Sequence, residues 1–176
     1  MKLLFTVTAV VVLSAASVAM SQTPGPSETV RAFYKYSNAR SSTFNRRHIE
    51  LRKKWYSPDL YAEFLKELSE EAAHLKANPT DKPFFGDGLD FRPLDEACIE
   101  GERTYRRIQS IGRTEINRSV ANVEVKFAYP KACTSITESI SYQVNLKKVG
   151  GRWLIADWTY PEGSTLVTDM REHKYK

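Results

Sequence analysis

The chain has 176 residues, with 26 lysines and arginines against 21 acidic residues, a net charge of +5, and only two cysteines. Without a leader, roughly 155 residues make one domain that buries about 70 % of its unfolded surface, so folding needs no covalent staple. No apolar run reaches the ~20 residues of a comfortable membrane span, and no cysteine sits beside a cut site to carry a lipid, so no stable membrane anchor is expected.

Met1-Lys2, the apolar run from Leu3 to Leu13 and the small residues around Ala19 and Ser21 follow the order of a cleavable secretory leader. The expected organisation is a signal peptide over residues 1–21 and a single α+β domain over 22–176, placed in the periplasm or outside the cell. Thr23-Pro24-Gly25-Pro26 is a spacer. Ser27 is expected to cap a first helix, with Glu28 at its positive end and Val30, Phe33, Tyr34 and Ser37 on one face. Ser41-Ser42-Thr43 breaks that helix and can cap a second. Phe44, His48, Leu51 and Trp55 then share its apolar face, opposite the basic run Arg46, Arg47, Arg52, Lys53 and Lys54. Ser57-Pro58-Asp59 starts a third helix. Its apolar face holds Leu60, Tyr61, Phe64, Leu65, Leu68, Ala72 and Leu75, and Asn78-Pro79 stops it.

Beyond Pro79 the period changes from helical to alternating. A long loop runs to about Gly101, and Tyr105 to Ile116 reads as a strand with a bulge at Gly112. A turn is expected at Asn117-Arg118. Val123, Val125, Phe127 and Tyr129 alternate with polar partners, and Ile140, Tyr142, Val144 and Leu146 repeat the pattern. Gly150-Gly151 makes a tight turn into a closing strand that puts Trp153 and Ile155 on one face. The polar tail after Pro161 is expected to be loosely held. Three N-terminal helices packed on a four-stranded antiparallel sheet is the fold class read here, α+β.

Two cysteines in an oxidising compartment usually pair. Antiparallel pairing about the Asn117-Arg118 turn brings Cys98 and Cys133 close to register at the open end of the hairpin. A bond there would close a loop of roughly 34 residues, worth ~3–4 kcal/mol in the chain-entropy model. Two buried free thiols are the competing reading.

Candidate site residues are few, and none belongs to a motif that names a reaction. His48 on an apolar face is either a general base at a cavity or a half-buried histidine bonded to a backbone carbonyl. Phe84 and Phe85 follow Pro83 on the loop, and with Tyr34, Tyr61 and Trp55 they line an apolar pocket or fill the core. Asp81, Asp87 and Asp90 are read as turn formers rather than calcium ligands, with Asp87-Gly88 returning the chain to the sheet. No metal or cofactor is expected. The basic clusters, the second being Arg103, Arg106, Arg107 and Arg113, are solvated or meet an anionic glycan, lipid headgroup or acidic protein. Nucleic acid is not expected as a partner of a secreted protein, and a homodimer is left open.

Four stretches, Val30-Arg31-Ala32-Phe33-Tyr34, Leu60 to Leu68 after Ser57-Pro58-Asp59, Asp81 to Asp87, and Gly151-Arg152-Trp153-Leu154-Ile155, resemble a bacterial family of secreted proteins and lipoproteins of unknown function. That family lies within the nuclear transport factor two-like superfamily, in which a curved sheet wraps a helical layer into a cone. The resemblance implies a cone fold from about Ser27 to Tyr160 and no assigned reaction. The main functional expectation is a non-enzymatic binding domain that engages a ligand or protein through its cone, with His48, Trp55, Tyr34, Phe84, Phe85 and Asp87 as contact residues. The alternatives are an immunity-type protein that blocks a periplasm-directed toxin, and a cone-fold hydrolyase or isomerase using His48 with Asp59 or Asp157.

Overall fold

In the computed structural model, the residues described are 23–38, 43–83, 107–128 and 139–172. Residues 1–21, expected as a leader, and Phe84, Phe85, Asp87, Cys98 and Cys133 lie outside them.

Helix α1 (Pro26–Asn38) is capped by Gly25 rather than Ser27. The Gly25 carbonyl takes the first helical bond from the Thr29 N–H at 2.9 Å, and its own N–H donates to Glu28 Oε2 at 2.7 Å. This is the reciprocal half of a capping box, with Pro26 in the first helical position where no N–H is required. Ser27 is thereby free to place its hydroxyl 2.6 Å from Thr114 Oγ1 in the sheet. Val30, Phe33, Tyr34 and Ser37 are buried as their spacing predicts.

Helix α2 (Arg46–Arg52) runs directly into a 3₁₀ turn, η1 (Lys53–Trp55). Its N-cap is Asn45, whose Oδ1 accepts the His48 N–H at 2.9 Å. The expected apolar face does not form. Phe44 precedes the cap and Trp55 follows the change of pitch, so the spacing from 44 to 55 crosses three backbone conformations. Ile49 and Arg52 point inward instead, while Leu51 is 46 % exposed. The basic run is therefore split, with Arg52 buried at 1 % exposure among exposed neighbours.

Helix α3 (Pro58–Ala77) starts where the sequence places it, with Ser57 Oγ accepting the Leu60 N–H at 3.2 Å, and Asn78 closes it. Leu60 and Phe64 enter the core, but Ala72 is exposed and the buried position below Phe64 belongs to Glu67. His74 is half-buried, its Nε2 2.8 Å from Asp81 Oδ2.

The sheet is an antiparallel meander, β1 (Arg107–Asn117), β2 (Val120–Ala128), β3 (Ser139–Val149) and β4 (Arg152–Thr159), in that spatial order. The first hairpin turns on Arg118-Ser119, one residue later than expected, with Arg118 at φ 53°. Two irregularities interrupt β1, at Gln109 and at Gly112-Arg113, and at the second a Cβ on Gly112 would run into the Glu124 carboxylate. Strands β2 and β3 pair without interruption and bury alternate residues, from Val123, Val125 and Phe127 to Tyr142, Val144 and Leu146. Gly150 and Gly151, at φ 55° and 80°, make the turn into β4, the left-handed pair a two-residue hairpin loop needs.

Within β4 the register slips between the pairs Asn145–Asp157 and Leu146–Ile155, which leaves Ala156 as the extra residue of a bulge. Ile155 and Trp158, three residues apart, consequently both reach the core, and Trp153 is half-buried at its margin. Trp158 Nε1 donates to the Tyr34 hydroxyl at 3.1 Å, tying β4 to α1 through the aromatic layer of Phe33, Tyr34, Tyr56, Phe64 and Phe127.

The expectation of a loose tail is overturned by helix α4 (Leu166–Glu172), which buries Leu166 and Met170. Its first turn is held from two sides. Thr165 Oγ1 accepts the Thr168 N–H at 3.2 Å, and Asp157 Oδ1 accepts the Val167 N–H at 3.0 Å. Arg171 reaches Glu63 on α3. The fold is α+β, an open four-stranded antiparallel sheet with helices before and after it.

One carboxylate is placed against its own ionisation. Glu71 lies one turn beyond Glu67, and its Oε2 is shut away with no hydrogen-bond partner among the described residues. Burial first, and the Glu67 charge second, push its pKa up from the ordinary carboxylate value. A raised folded-state pKa means the folded protein binds the proton more tightly than the unfolded chain. Stability from this group is present below the unfolded value and falls as pH rises through the folded one. Glu71→Gln should therefore raise the Tm at pH 7 and lose that advantage near pH 4, in paired melts across pH. An unchanged difference between the two pH values would contradict the assignment.

Candidate functional site

The residues singled out in the sequence separate into three places. Tyr34 is fully enclosed, packed edge-to-face on Phe33 with ring centroids 5.2 Å apart. His48 sits at the start of α2 with Nδ1 2.9 Å from the Thr43 carbonyl and 3.2 Å from Asn45 Nδ2. A carbonyl only accepts, so at the Thr43 contact Nδ1 carries the proton and cannot also accept from Asn45 Nδ2; that is the carbonyl-bonded histidine of the two readings. The acids weighed as its partners are engaged elsewhere. Asp59 forms an ion pair with Lys147, and Asp157 holds the Trp158 and Val167 N–H groups.

Trp55 is the candidate that reaches an open site. It ends η1, and the next residue, Tyr56, forms a parallel bridge to Ile155 while the Ser57 N–H donates to the Ile155 carbonyl at 2.7 Å. These contacts clamp the 3₁₀ turn onto the edge of β4 and bring Lys54-Trp55 beside Arg152-Trp153, 98 residues later in the chain. The clamp is reinforced by Arg152, whose guanidinium donates to the Lys54 carbonyl at 3.2 Å. Between them opens a cleft of about 140 Å³ lined by Thr23, Pro24, Thr29, Ala32, Lys54, Trp55, Arg152 and Trp153.

Two indoles and two cations line this cleft, and no carboxylate among the described residues does. The Lys54 ammonium lies 4.2 Å from the Trp55 ring centroid, and Lys148, on the neighbouring strand, lies 5.8 Å from that of Trp153. Some other surface cations are paired, Lys53 with Glu50, Lys66 with Glu70, Lys147 with Asp59, Arg113 with Glu115 and Arg171 with Glu63, while others, such as Arg46, Arg47, Lys76 and Arg118, stand exposed without an ion pair among the described residues. Lys54, Lys148 and Arg152 have no ion-pair partner among the described residues. A concave, aromatic-walled surface with unneutralised cations attracts anions and gives them an apolar body to rest on. Trp55 also packs edge-to-face on Phe33, with centroids 6.0 Å apart, so one wall of the cleft is braced by the core.

Arg152, Trp153 and Lys54 were legible only as a strand start and part of a basic run. A signal for them is present: two of the three tryptophans follow a basic residue, Lys54-Trp55 and Arg152-Trp153, and these two line the cleft. The third follows an acid, Asp157-Trp158, and is buried. Among the described residues no group of three or more His, Cys, Asp or Glu side chains is arranged to hold a metal, and no helix is long and apolar enough to cross a membrane. No family model matches the chain, and no match is found among curated proteins or solved structures.

Proposed function

We propose that this protein is a non-enzymatic binding domain of the extracytoplasmic space that engages an anionic ligand or partner surface at the cleft between Trp55 and Trp153. The reading keeps the cone fold of the nuclear transport factor two-like superfamily, with the sheet curved about the helices, and moves the contact surface from the interior of the cone to its outside. Support for that move comes from the interior, where Phe33, Tyr34, Tyr56, Phe64, Phe127 and Trp158 occupy the space between helices and sheet. The leader-like residues 1–21 support the location.

The observation that carries the reading is the set of three cations, Lys54, Lys148 and Arg152, gathered around two indoles without acidic neighbours in ion-pair range among the described residues. Cations gathered around a concavity raise the local concentration of anions there. The test is binding of two acidic polymers, tetragalacturonate and polyglutamate, followed at low and at raised salt. Binding of at least one should weaken as salt rises. It should fall on the order of tenfold in a Lys54→Ser/Arg152→Ser variant, the loss expected when central contacts of a small site are removed. A folded wild-type protein that binds neither polymer at low salt overturns the reading.

A further inference from the structure

We infer that the cleft is a subsite for one carboxylated sugar ring of an acidic polysaccharide. The inference rests on the anionic-ligand reading above and narrows it to a chemical class.

The walls select the ring. Each indole already holds an ammonium against its ring, Lys54 at 4.2 Å on Trp55 and Lys148 at 5.8 Å on Trp153. That attraction comes from the negative face of the ring system, which draws any positively polarised group. The C–H face of a pyranose is such a group without the charge. A quaternary ammonium would satisfy the same faces but is repelled by the uncompensated cations at the rim. The flexible lysine stems can swing from ring to ligand, so the faces they cover are available.

The rim selects the carboxylate. Arg152 spends one nitrogen on the Lys54 carbonyl, at 3.2 Å, which fixes the plane of the guanidinium beside the cleft and leaves other N–H groups to donate. An oriented guanidinium matches a carboxylate through two parallel hydrogen bonds, a geometry lysine lacks. Thr23 and Thr29 bring hydroxyl-bearing side chains to the lining, suited to sugar hydroxyls.

The size and form of the cleft limit the occupant. About 140 Å³ is well below the 300 Å³ or more of a pocket for a drug-sized molecule, and it suits a single ring whose polymer leaves through the open sides. Trp55 and Trp153 are half-buried walls rather than projecting anchors, which does not suit insertion into a bilayer. A stacked nucleobase with its phosphate would meet the same walls. The leader-like N-terminus favours the polysaccharide, since acidic polysaccharides are abundant outside the cytoplasm.

The experiment titrates the full chain, freed of its leader where that is removed on export, by tryptophan fluorescence. Four probes are compared: tetragalacturonate, polyglutamate, a neutral dextran oligomer and oligothymidylate. Tetragalacturonate should bind saturably and on the order of tenfold more tightly than the other three, since it alone offers both sugar ring and carboxylate. Trp153→Ala should remove that preference. Arg152→Lys, an exposed substitution that keeps the charge, should weaken tetragalacturonate and polyglutamate alike, since both present a carboxylate to the guanidinium. Trp153→Leu, which keeps apolar bulk but offers no aromatic face, should also remove the preference and serves as the decisive variant should Trp153→Ala fail to fold. Equal binding of polyglutamate and tetragalacturonate overturns the sugar assignment while leaving the anionic reading intact. Tightest binding of oligothymidylate overturns it in favour of nucleic acid. Equal or tighter binding of dextran removes the carboxylate from the recognition and overturns it. Absence of binding to every probe overturns both this inference and the reading beneath it.

Discussion

Arg52→Met is expected to lower stability by about 3–5 kcal/mol, the loss typical of removing one charge from a buried polar arrangement, with a fall in Tm of roughly 10 °C for a domain of this size. Arg52 is 1 % exposed. Its Nε donates to Ser37 Oγ at 3.1 Å and a terminal nitrogen donates to the His48 carbonyl at 3.0 Å, so it stitches α2 to α1 and to its own preceding turn. The guanidinium also lies 5.7 Å from the centroid of the Tyr36 ring. Glu67 on α3 is the one other buried charged side chain among the described residues, and α3 packs against α2. Methionine fills much of the volume but offers no donor, and it leaves the core with a carboxylate and no cation. The double variant Arg52→Met/Glu67→Leu should recover most of the loss if the two charges compensate each other, because it leaves no unpaired charge in the core. Urea denaturation of the two single variants and the double measures this. Simple addition of the two single losses would show that Arg52 and Glu67 act independently.

The second large effect belongs to Trp158→Ala, expected at about 3–5 kcal/mol for an aromatic side chain deleted from a packed interior. Trp158 is 1 % exposed and meets Phe33 and Tyr56 at centroid distances of 5.8 and 6.4 Å. Trp158→Phe retains most of the packing and loses the N–H bond to the Tyr34 hydroxyl, which should cost about 1–2 kcal/mol. Trp153→Ala, on a half-buried residue, should fall well short of Trp158→Ala. The comparison tests the bulge at Ala156, because without that slip Trp158 would face away from Ile155 and leave the core, while Trp153 would keep its face. Equal losses for Trp153→Ala and Trp158→Ala would show that the strand does not slip there.

The parts of the fold that local patterns specify were legible. Ser57-Pro58-Asp59 starts α3, Gly150-Gly151 turns β3 into β4, and the alternation in β2 and β3 names the buried face. What was lost depended on breaks of period. Asn45 and the 3₁₀ turn interrupt the phase between Phe44 and Trp55, so His48 and Leu51 were read on a face they do not share. Ala156 advances β4 by one residue, so Trp158 was overlooked. Arg52 was counted with its solvated neighbours because charge runs are usually exposed. Helix α4 passed as a tail because part of its capping comes from Asp157, on another element. The site suffered from the same cause on a longer scale: Trp55 was named, but the Tyr56–Ile155 bridge that delivers Trp153 and Arg152 to it joins segments 99 residues apart.

The order of the elements has a consequence for how the chain is made. Helices α1, α2 and α3 all leave the ribosome before the first strand, and β4, with Ile155 and Trp158, comes almost last. Helices of 13, 7 and 20 residues with no sheet to cover them are marginal in water. Phe33, Tyr34 and Phe64 therefore stay uncovered until synthesis is nearly complete, and the nascent polypeptide remains threadable for most of its length. The same delay makes any product cut short before β4 a carrier of bare aromatic stripes, a substrate for chaperones and proteases rather than a partial domain.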